Sequence, residues 1–198
     1  MQLVLASASP RRRQLLEAVG LKFRVVVPEV KEHYPGHLAA AEVAPFLSHK
    51  KALSLVGQLA ADELLVAADT CVILQEQVLG KPQGEQEAIA MLQALSGTEH
   101  FVVTGVTLMH KEKMHTFSET TAVKFRPLPL ELIRHYVQTY RPFDKAGAYG
   151  IQEFIGYIGV QGIRGCFYNV MGLPVGRLLE ELTDWGYPWQ QFCNKHLI

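Results

Sequence analysis

Leu3-Val4-Leu5-Ala6-Ser7-Ala8-Ser9-Pro10-Arg11-Arg12-Arg13 opens the chain with four apolar residues, three small ones, a proline and a row of arginines. Four apolar residues bounded by a small-residue turn read as a short buried strand. Pro10 suits the first position of a helix, where its missing N–H would have no partner anyway, and Ser9 ahead of it is a natural N-cap. The helix predicted from Pro10 to Val19 closes at Gly20. A buried strand feeding directly into a helix is a building unit of α/β folds.

Working outward, the same alternation recurs. Phe23 to Val27 reads as a second strand, and Val43 to Val56 as a helix with Val43, Phe46, Leu47 and Leu53 on one side. Leu64 to Ala68 is an apolar strand, and Cys71 to Leu74 with Gln77 to Leu79 reads as a hairpin. Glu85 to Leu95 is a helix ended by Ser96-Gly97. Phe101 to Met109, Met114 to Phe117, Thr120 to Phe125 and Phe154 to Val160 read as strands. Leu130 to Thr139 and Pro174 to Trp185 read as helices. The expected class is therefore α/β, a large mixed twisted sheet flanked by helices. With no internal repeat and no long linker, residues 1–198 are expected to form one domain.

Composition narrows the partners. Lysine plus arginine and aspartate plus glutamate number 19 each, so the formal net charge is zero. Nucleic-acid binders draw most of their affinity from phosphate contacts and carry a basic excess. A small-molecule substrate fits this balance better, with no nucleic acid and no membrane as partner, and the chain is compatible with a homodimer. No apolar run approaches the length of a bilayer span, and no positive charge precedes Leu3 to Ala6, so neither a membrane anchor nor a signal peptide is expected. Cys71, Cys166 and Cys193 are odd in number and lack C-x-x-C spacing, which suits reduced thiols in a cytoplasm.

The strand–turn–helix of the opening stretch also carries chemistry. A helix N-terminus offers free N–H groups and the positive end of a dipole. Ser7 and Ser9 add hydroxyl donors, and Arg11 and Arg12 add guanidinium forks that match phosphate oxygens. An ordinary capped helix explains the Ser-Pro pair alone. Three arginines at the positive end of a helix oppose its dipole, and an anion there would relieve them.

Asp69 closes the apolar run Leu64-Leu65-Val66-Ala67-Ala68, ahead of Thr70. A carboxylate at the end of a buried strand is costly unless a cation, a metal or hydrogen bonds satisfy it, although a surface turn aspartate reads equally well from this feature alone. Gly80-Lys81-Pro82 places a lysine in a tight loop. Lys51 lies four residues beyond Leu47, near the inward face of its helix, an unusual place for a solvated lysine. Asp144-Lys145-Ala146-Gly147-Ala148-Tyr149-Gly150-Ile151-Gln152 combines small residues, which let backbone approach a ligand, with a charge at Lys145 and a two-sided amide at Gln152. No H-E-x-x-H, Walker A or G-x-S-x-G pattern occurs.

Together these blocks resemble the Maf-like nucleotide pyrophosphatases. The resemblance runs through Ser7-x-Ser9-Pro10-Arg11-Arg12, Lys51-Ala52, Ala68-Asp69-Thr70, Gly80-Lys81-Pro82, Asp144 to Gln152 and Tyr168-Asn169-Val170-Met171-Gly172-Leu173-Pro174. It implies a two-lobed α/β fold around a nucleotide-binding cleft, like that of inosine triphosphate pyrophosphatases, and cleavage between the α- and β-phosphates dependent on Mg²⁺ or Mn²⁺. It also implies Asp69 as the acidic catalytic residue, either proton acceptor or metal ligand. Ser7, Ser9, Arg11, Arg12, Lys51, Lys81 and Lys145 are the expected substrate-binding residues. Where the family often has an Asp-Glu pair, this chain has Lys31-Glu32, so a second metal ligand there rests on Glu32. Tyr187 to Ile198 lies outside the resemblance.

The family divides by base. The subgroup resembling 7-methylguanosine triphosphate pyrophosphatases tends to carry tryptophan, glutamine and glutamate where this chain has Arg11, Thr70 and Gln152. A cationic methylated guanine suits a carboxylate and an aromatic face. A neutral amide instead complements the imide edge of uracil or thymine. The resemblance is therefore to the dTTP/UTP subgroup, with Arg11, Thr70 and Gln152 as specificity residues. The competing expectations are a pyrophosphatase for 7-methylguanosine or deaminated purine triphosphates, and a non-catalytic nucleotide-binding regulator of cell division.

Overall fold

The computed structural model describes residues 1–193. In chain order the elements are β1 (Gln2–Ala6), α1 (Pro10–Ala18), β2 (Phe23–Val26), α2 (Ala40–Leu53), β3 (Glu63–Leu74), β4 (Gln77–Leu79), α3 (Glu85–Leu95), β5 (Glu99–His110), β6 (Lys113–Phe125), α4 (Leu130–Tyr140), α5 (Phe154–Gly159), β7 (Val160–Arg164), α6 (Phe167–Met171) and α7 (Val175–Asp184). The strands form a sheet of order β2-β1-β3-β5-β6-β7, with β4 paired to β3. β1 runs parallel to β2 and β3, whereas β3–β4 and β6–β7 are antiparallel, so the sheet is mixed as expected. Among the described residues no helix is long and apolar enough to cross a membrane.

The chain separates into two compact units. One comprises Met1–Asp69, Thr104–Glu119 and the stretch from Gly172 onward, and the other comprises Thr70–Val103 and Thr120–Met171. In the first unit, Leu3, Val4, Leu5 and Ala6 of β1 and Leu64 to Ala68 of β3 are wholly buried. Burial of every residue, rather than every second one, means that both faces of these parallel strands are covered. Val4, Ala6, Leu65, Ala67, Ala52, Leu55 and Met109 form one cluster of that core. α2 contains Pro45 and packs so close to β5 that a Cβ on Gly105 would stand 2.3 Å from the Pro45 nitrogen. The segment after α7 also belongs to this unit. Phe192 is buried, its carbonyl accepts the Lys22 N–H at 2.7 Å, and Cys193 forms a bridge with Leu21. Of the stretch from Tyr187 to Ile198, residues 194–198 lie outside the described residues.

The second unit has its own core, in which Leu92 and Leu95 of α3, Phe125 of β6 and Ile133, Tyr136 and Val137 of α4 pack with Ala148, Tyr149 and Ile151. Its hairpin turns at Gln75 and Glu76, both at positive φ, the twist that joins two antiparallel strands through two residues.

Two strand boundaries differ from the sequence reading. Leu64–Ala68 and Cys71–Leu74 are one strand, β3, with Asp69 and Thr70 inside it, and the two short strands after Lys113 are likewise one, β6. In each case two consecutive polar residues, Asp69-Thr70 and Ser118-Glu119, looked like a break. The strand expected from Phe154 to Val160 is a correction: Phe154–Gly159 is helix α5, and strand β7 begins only at Val160. Ile155 and Gly159, four apart, are buried while Tyr157 and Ile158 are exposed, a helical period that an apolar run this short conceals.

Candidate active site

Where β1 stops, Ala6 is paired with Val26 of β2 on one side and Ala67 of β3 on the other. Ser7 therefore leaves the sheet beside Asp69, at the carboxyl ends of parallel strands where α/β proteins gather their functional groups. β3 continues past this point, so Asp69 sits within a strand and not at its end, and it is 7% exposed.

A buried carboxylate needs compensation. Lys51 of α2 supplies it, one turn beyond the buried Leu47, by donating to Asp69 Oδ1. The same ammonium donates to Glu32 Oε1 at 2.8 Å. The side chains of Lys51 and Asp69 are 11% and 10% exposed and that of Glu32 40%, so the constellation opens to solvent on the Glu32 side. Lys50 holds the same segment by its backbone, donating to the carbonyls of Lys31 and His33, both at 3.0 Å. Consecutive lysines thus fasten the segment that carries Glu32, a role for Lys50 that its sequence position did not announce.

Two carboxylates converging on one cation are a hard-oxygen donor set of the kind Mg²⁺ and Mn²⁺ accept. Among the described residues no group of three or more histidine, cysteine, aspartate or glutamate side chains could hold a metal ion. Asp69 and Glu32 therefore fit a cation that keeps several water or phosphate ligands, as Mg²⁺ usually does.

The turn before α1 differs from a simple cap. Ser9 occupies the N-cap position, but its side chain makes no capping hydrogen bond; instead the Ser7 hydroxyl accepts the Ser9 N–H at 3.1 Å. Ser7 Oγ also accepts from Arg12 Nη1 at 3.3 Å, and Arg12 Nε donates to the Gly172 carbonyl at 2.8 Å. Arg12 is thereby held buried, while Arg11 is half-buried and Arg13 exposed. The first turn of α1 contains no acidic residue.

In the second unit, Thr70 is half-buried and Lys81 exposed. The Gly80 carbonyl accepts the Gly147 N–H at 3.0 Å, so the Lys81 loop is fastened to the loop that carries Lys145. Gly147 and Ala148 both adopt left-handed φ, +65° and +58°. A Cβ at Gly147 would lie 3.0 Å from the Val72 methyl groups, so both the crowding and the left-handed φ favour glycine there.

Lys145 is not a solvated lysine: it is buried and pairs with Asp144 at 2.7 Å and Glu153 at 3.1 Å. Glu153 also accepts the Tyr136 hydroxyl at 2.6 Å, and that hydroxyl accepts the Gly150 N–H at 3.3 Å. Burial first, then the Glu153 hydrogen bond, raises the Tyr136 pKa well above the usual phenol range, so the hydroxyl keeps its proton. Tyr149 meets His100 at 2.7 Å, with both rings buried. Gln152 is half-buried, and its Oε1 is buried with no hydrogen-bond partner among the described residues. Asn169 is structural, its Nδ2 donating to the Val102 carbonyl and Thr121 Oγ1, each at 3.0 Å.

The sequence reading missed Tyr136 and Glu153. A usable signal existed for Tyr136, since a tyrosine on the apolar face of a helix needs a partner for its hydroxyl.

The profile of the family described as "Maf-like protein" matches residues 2–185. A protein of Bacteroides thetaiotaomicron named dTTP/UTP pyrophosphatase is 48% identical over 182 residues, 91% of this chain and 94% of that protein. One of the same name from Parabacteroides distasonis is 49% identical over the same shares of each chain. Another, from Porphyromonas gingivalis, is 46% identical over 93% of this chain and 94% of its own.

Proposed function

The chain belongs to the Maf-like family, and from that premise we propose that it hydrolyses dTTP and UTP to the monophosphate and pyrophosphate. The observation that carries the chemistry is the Lys51 ammonium shared by the Asp69 and Glu32 carboxylates. Water attacks the α-phosphorus as the bond to the α–β bridging oxygen breaks, and pyrophosphate leaves with that oxygen. Asp69 orients the water or accepts its proton. Lys51 fixes the Asp69 carboxylate and can turn toward a phosphate oxygen. Arg12, Lys81 and Lys145 neutralise charge on the triphosphate and on the departing pyrophosphate. The dipole of α1, with no acidic residue in its first turn, together with Ser7, Ser9 and Arg11, favours an anion at that helix start.

Asp69 and Glu32 are the residues that would hold a divalent cation, Mg²⁺ or Mn²⁺. When bound, it supplies charge neutralisation at the phosphate oxygens.

For the base, the Gln152 Oε1 is an acceptor suited to an imide N–H, and its amide NH₂ a donor suited to the adjacent carbonyl. Thr70 and Arg11 complete the proposed specificity set. The three free cysteines fit a reducing, cytoplasmic setting.

Release of pyrophosphate from dTTP, UTP, CTP, inosine triphosphate and 7-methylguanosine triphosphate, each with Mg²⁺ and with Mn²⁺, tests this reading. Turnover is expected with all or most of the set and highest kcat/KM with dTTP and UTP. A preference for either purine would overturn the base assignment, and no pyrophosphate from any would favour a nucleotide-binding regulator.

A further inference from the structure

Gln152 can read a base only if its loop is held still, and three features show how the second unit holds it. Gly147 and Ala148 are left-handed in succession, a conformation that a non-glycine residue adopts only when its surroundings impose it. Glu153 divides its carboxylate between the two ends of the loop. Oε1 takes Lys145 at the start, and Oε2 takes the Tyr136 hydroxyl, which in turn accepts the Gly150 N–H. Finally, Gly150 lies directly against Glu153: a Cβ there would stand 2.8 Å from the Glu153 carboxyl carbon.

Tyr136 is wholly buried on α4, so the anchor belongs to the rigid core and not to the loop. Gln152 is flanked on both sides by this fastening, at Gly150 and at Glu153. The same carboxylate partly neutralises Lys145, so charge handling and base reading are tied to one side chain.

We propose that Tyr136 and Glu153 are positioning residues for base discrimination, acting through the contacts that fasten Gly150 and Lys145 to the core and so fix the place at which the Gln152 amide is presented. This rests on the reading of Gln152 given above. Cytosine reverses the donor and acceptor of the uracil edge, and an amide free to turn over would accept either. The Tyr136–Glu153 fastening limits that freedom by fixing the backbone on each side of Gln152, and with it the place at which the amide meets the base.

The test measures kcat and KM for dTTP and CTP in Tyr136→Phe, Glu153→Gln, the double variant and Gln152→Ala, with thermal midpoints recorded alongside. Tyr136→Phe keeps the ring and removes only the hydroxyl. It should raise KM for dTTP roughly tenfold, with kcat changed by less than about twofold, and lower the dTTP-to-CTP ratio of kcat/KM by a similar factor. Glu153→Gln keeps an acceptor for Tyr136 and loses the charge facing Lys145, so it should lower the ratio less. In the dTTP-to-CTP ratio the double variant should fall short of the sum of the two single effects, because the Tyr136–Glu153 bond is lost in both, and any further change should come from the lost Lys145 pairing. Should Tyr136→Phe not fold, a lowered ratio in Glu153→Gln supports the proposal and an unchanged one overturns it. A lower thermal midpoint with KM and ratio unchanged would make Tyr136 merely structural and overturn the proposal. If Gln152→Ala collapses the ratio while Tyr136→Phe does not, the positioning role alone falls. If Gln152→Ala leaves the ratio intact, the base is read elsewhere and both fall.

Discussion

Acidification should destabilise this protein through His100. Its ring is wholly buried, edge-on to Phe125 and Tyr149, and its polar partner is the Tyr149 hydroxyl at 2.7 Å. Burial lowers its pKa from 6.5 to about 4, so the folded protein resists the proton that the unfolded chain accepts readily. Tyr149, itself buried, has a raised pKa and keeps its proton, so it does not titrate alongside. Between those two values the unfolded state binds more protons, and stability rises with pH across the window. The contribution is complete above pH 6.5 and lost by about pH 4, a difference of roughly 3 kcal/mol at about 1.4 kcal/mol per pH unit. For a chain of this length that is a fall in melting temperature of about 6–12 °C. Glu63, which the Arg24 hydrogen bond holds at about 2 against an ordinary 4.5, adds its own loss only below pH 4.5. Glu181, which burial pushes up but the His115 and Arg177 hydrogen bonds hold below its ordinary value, behaves like Glu63. The interval from 6.5 to 4.5 thus lies mostly above both carboxyl losses, and comparison with a variant lacking the ring assigns the remainder to His100. Calorimetric midpoints of wild type and His100→Gln at half-unit steps through that interval make the comparison. The wild-type curve should fall and the variant's should be flatter by roughly the amount above. Parallel curves would refute the assignment of the acid loss to His100.

Asp69→Asn should reduce single-turnover pyrophosphate release at saturating metal on the order of a hundredfold or more while leaving the melting temperature near wild type. Arg12→Ala and Lys81→Ala should each cost about 1.5–3 kcal/mol in kcat/KM on every triphosphate alike, and a change in base ranking would show the phosphate assignment to be wrong. Arg12→Ala should also lower the melting temperature, because it releases the Gly172 carbonyl from a buried bond, whereas exposed Lys81 should not. Gln152→Glu should lower dTTP hydrolysis and improve 7-methylguanosine triphosphate, read as a kcat/KM ratio. Gly105→Ala should destabilise by about 3 kcal/mol or more in urea unfolding, since the methyl group would meet helix backbone and not a movable side chain.

What was legible in the sequence was local. The Leu3–Ala6 strand, the Pro10 helix start and the Glu85–Leu95 helix follow from burial runs and end signals a few residues long. Lys51 was placed inward by its spacing from Leu47, and the structure sets it beside Asp69. What was not legible depended on residues distant in the chain. Arg12 is fixed by a carbonyl 160 residues away, which no spacing rule encodes. Ser9 was expected to cap its helix, but Ser7 takes the Ser9 N–H, a choice made by backbone angles that the residue types leave open. Lys145 looked like a free cation because its second partner, Glu153, comes eight residues later, after the loop has turned back. The α5 helix was read as strand because two glycines diluted its period. One of them, Gly156, is there for packing, since a Cβ would lie 1.8 Å from the Ile151 carbonyl oxygen.

The order in which the chain is made bears on how it comes to be active. The second unit ends at Met171, so every residue of its core has been synthesised while the first unit still lacks its last segment. The first unit waits for Gly172, which receives Arg12, and for Phe192 and Cys193, which close onto Lys22 and Leu21. Domains generally fold as units during synthesis, earlier ones first. Here the N-terminal strand begins the unit that is finished last. The segment that receives Arg12 and closes onto Leu21 and Lys22 is thus made last, and a nascent chain halted before Gly172 carries every residue of the second unit but an incomplete first one.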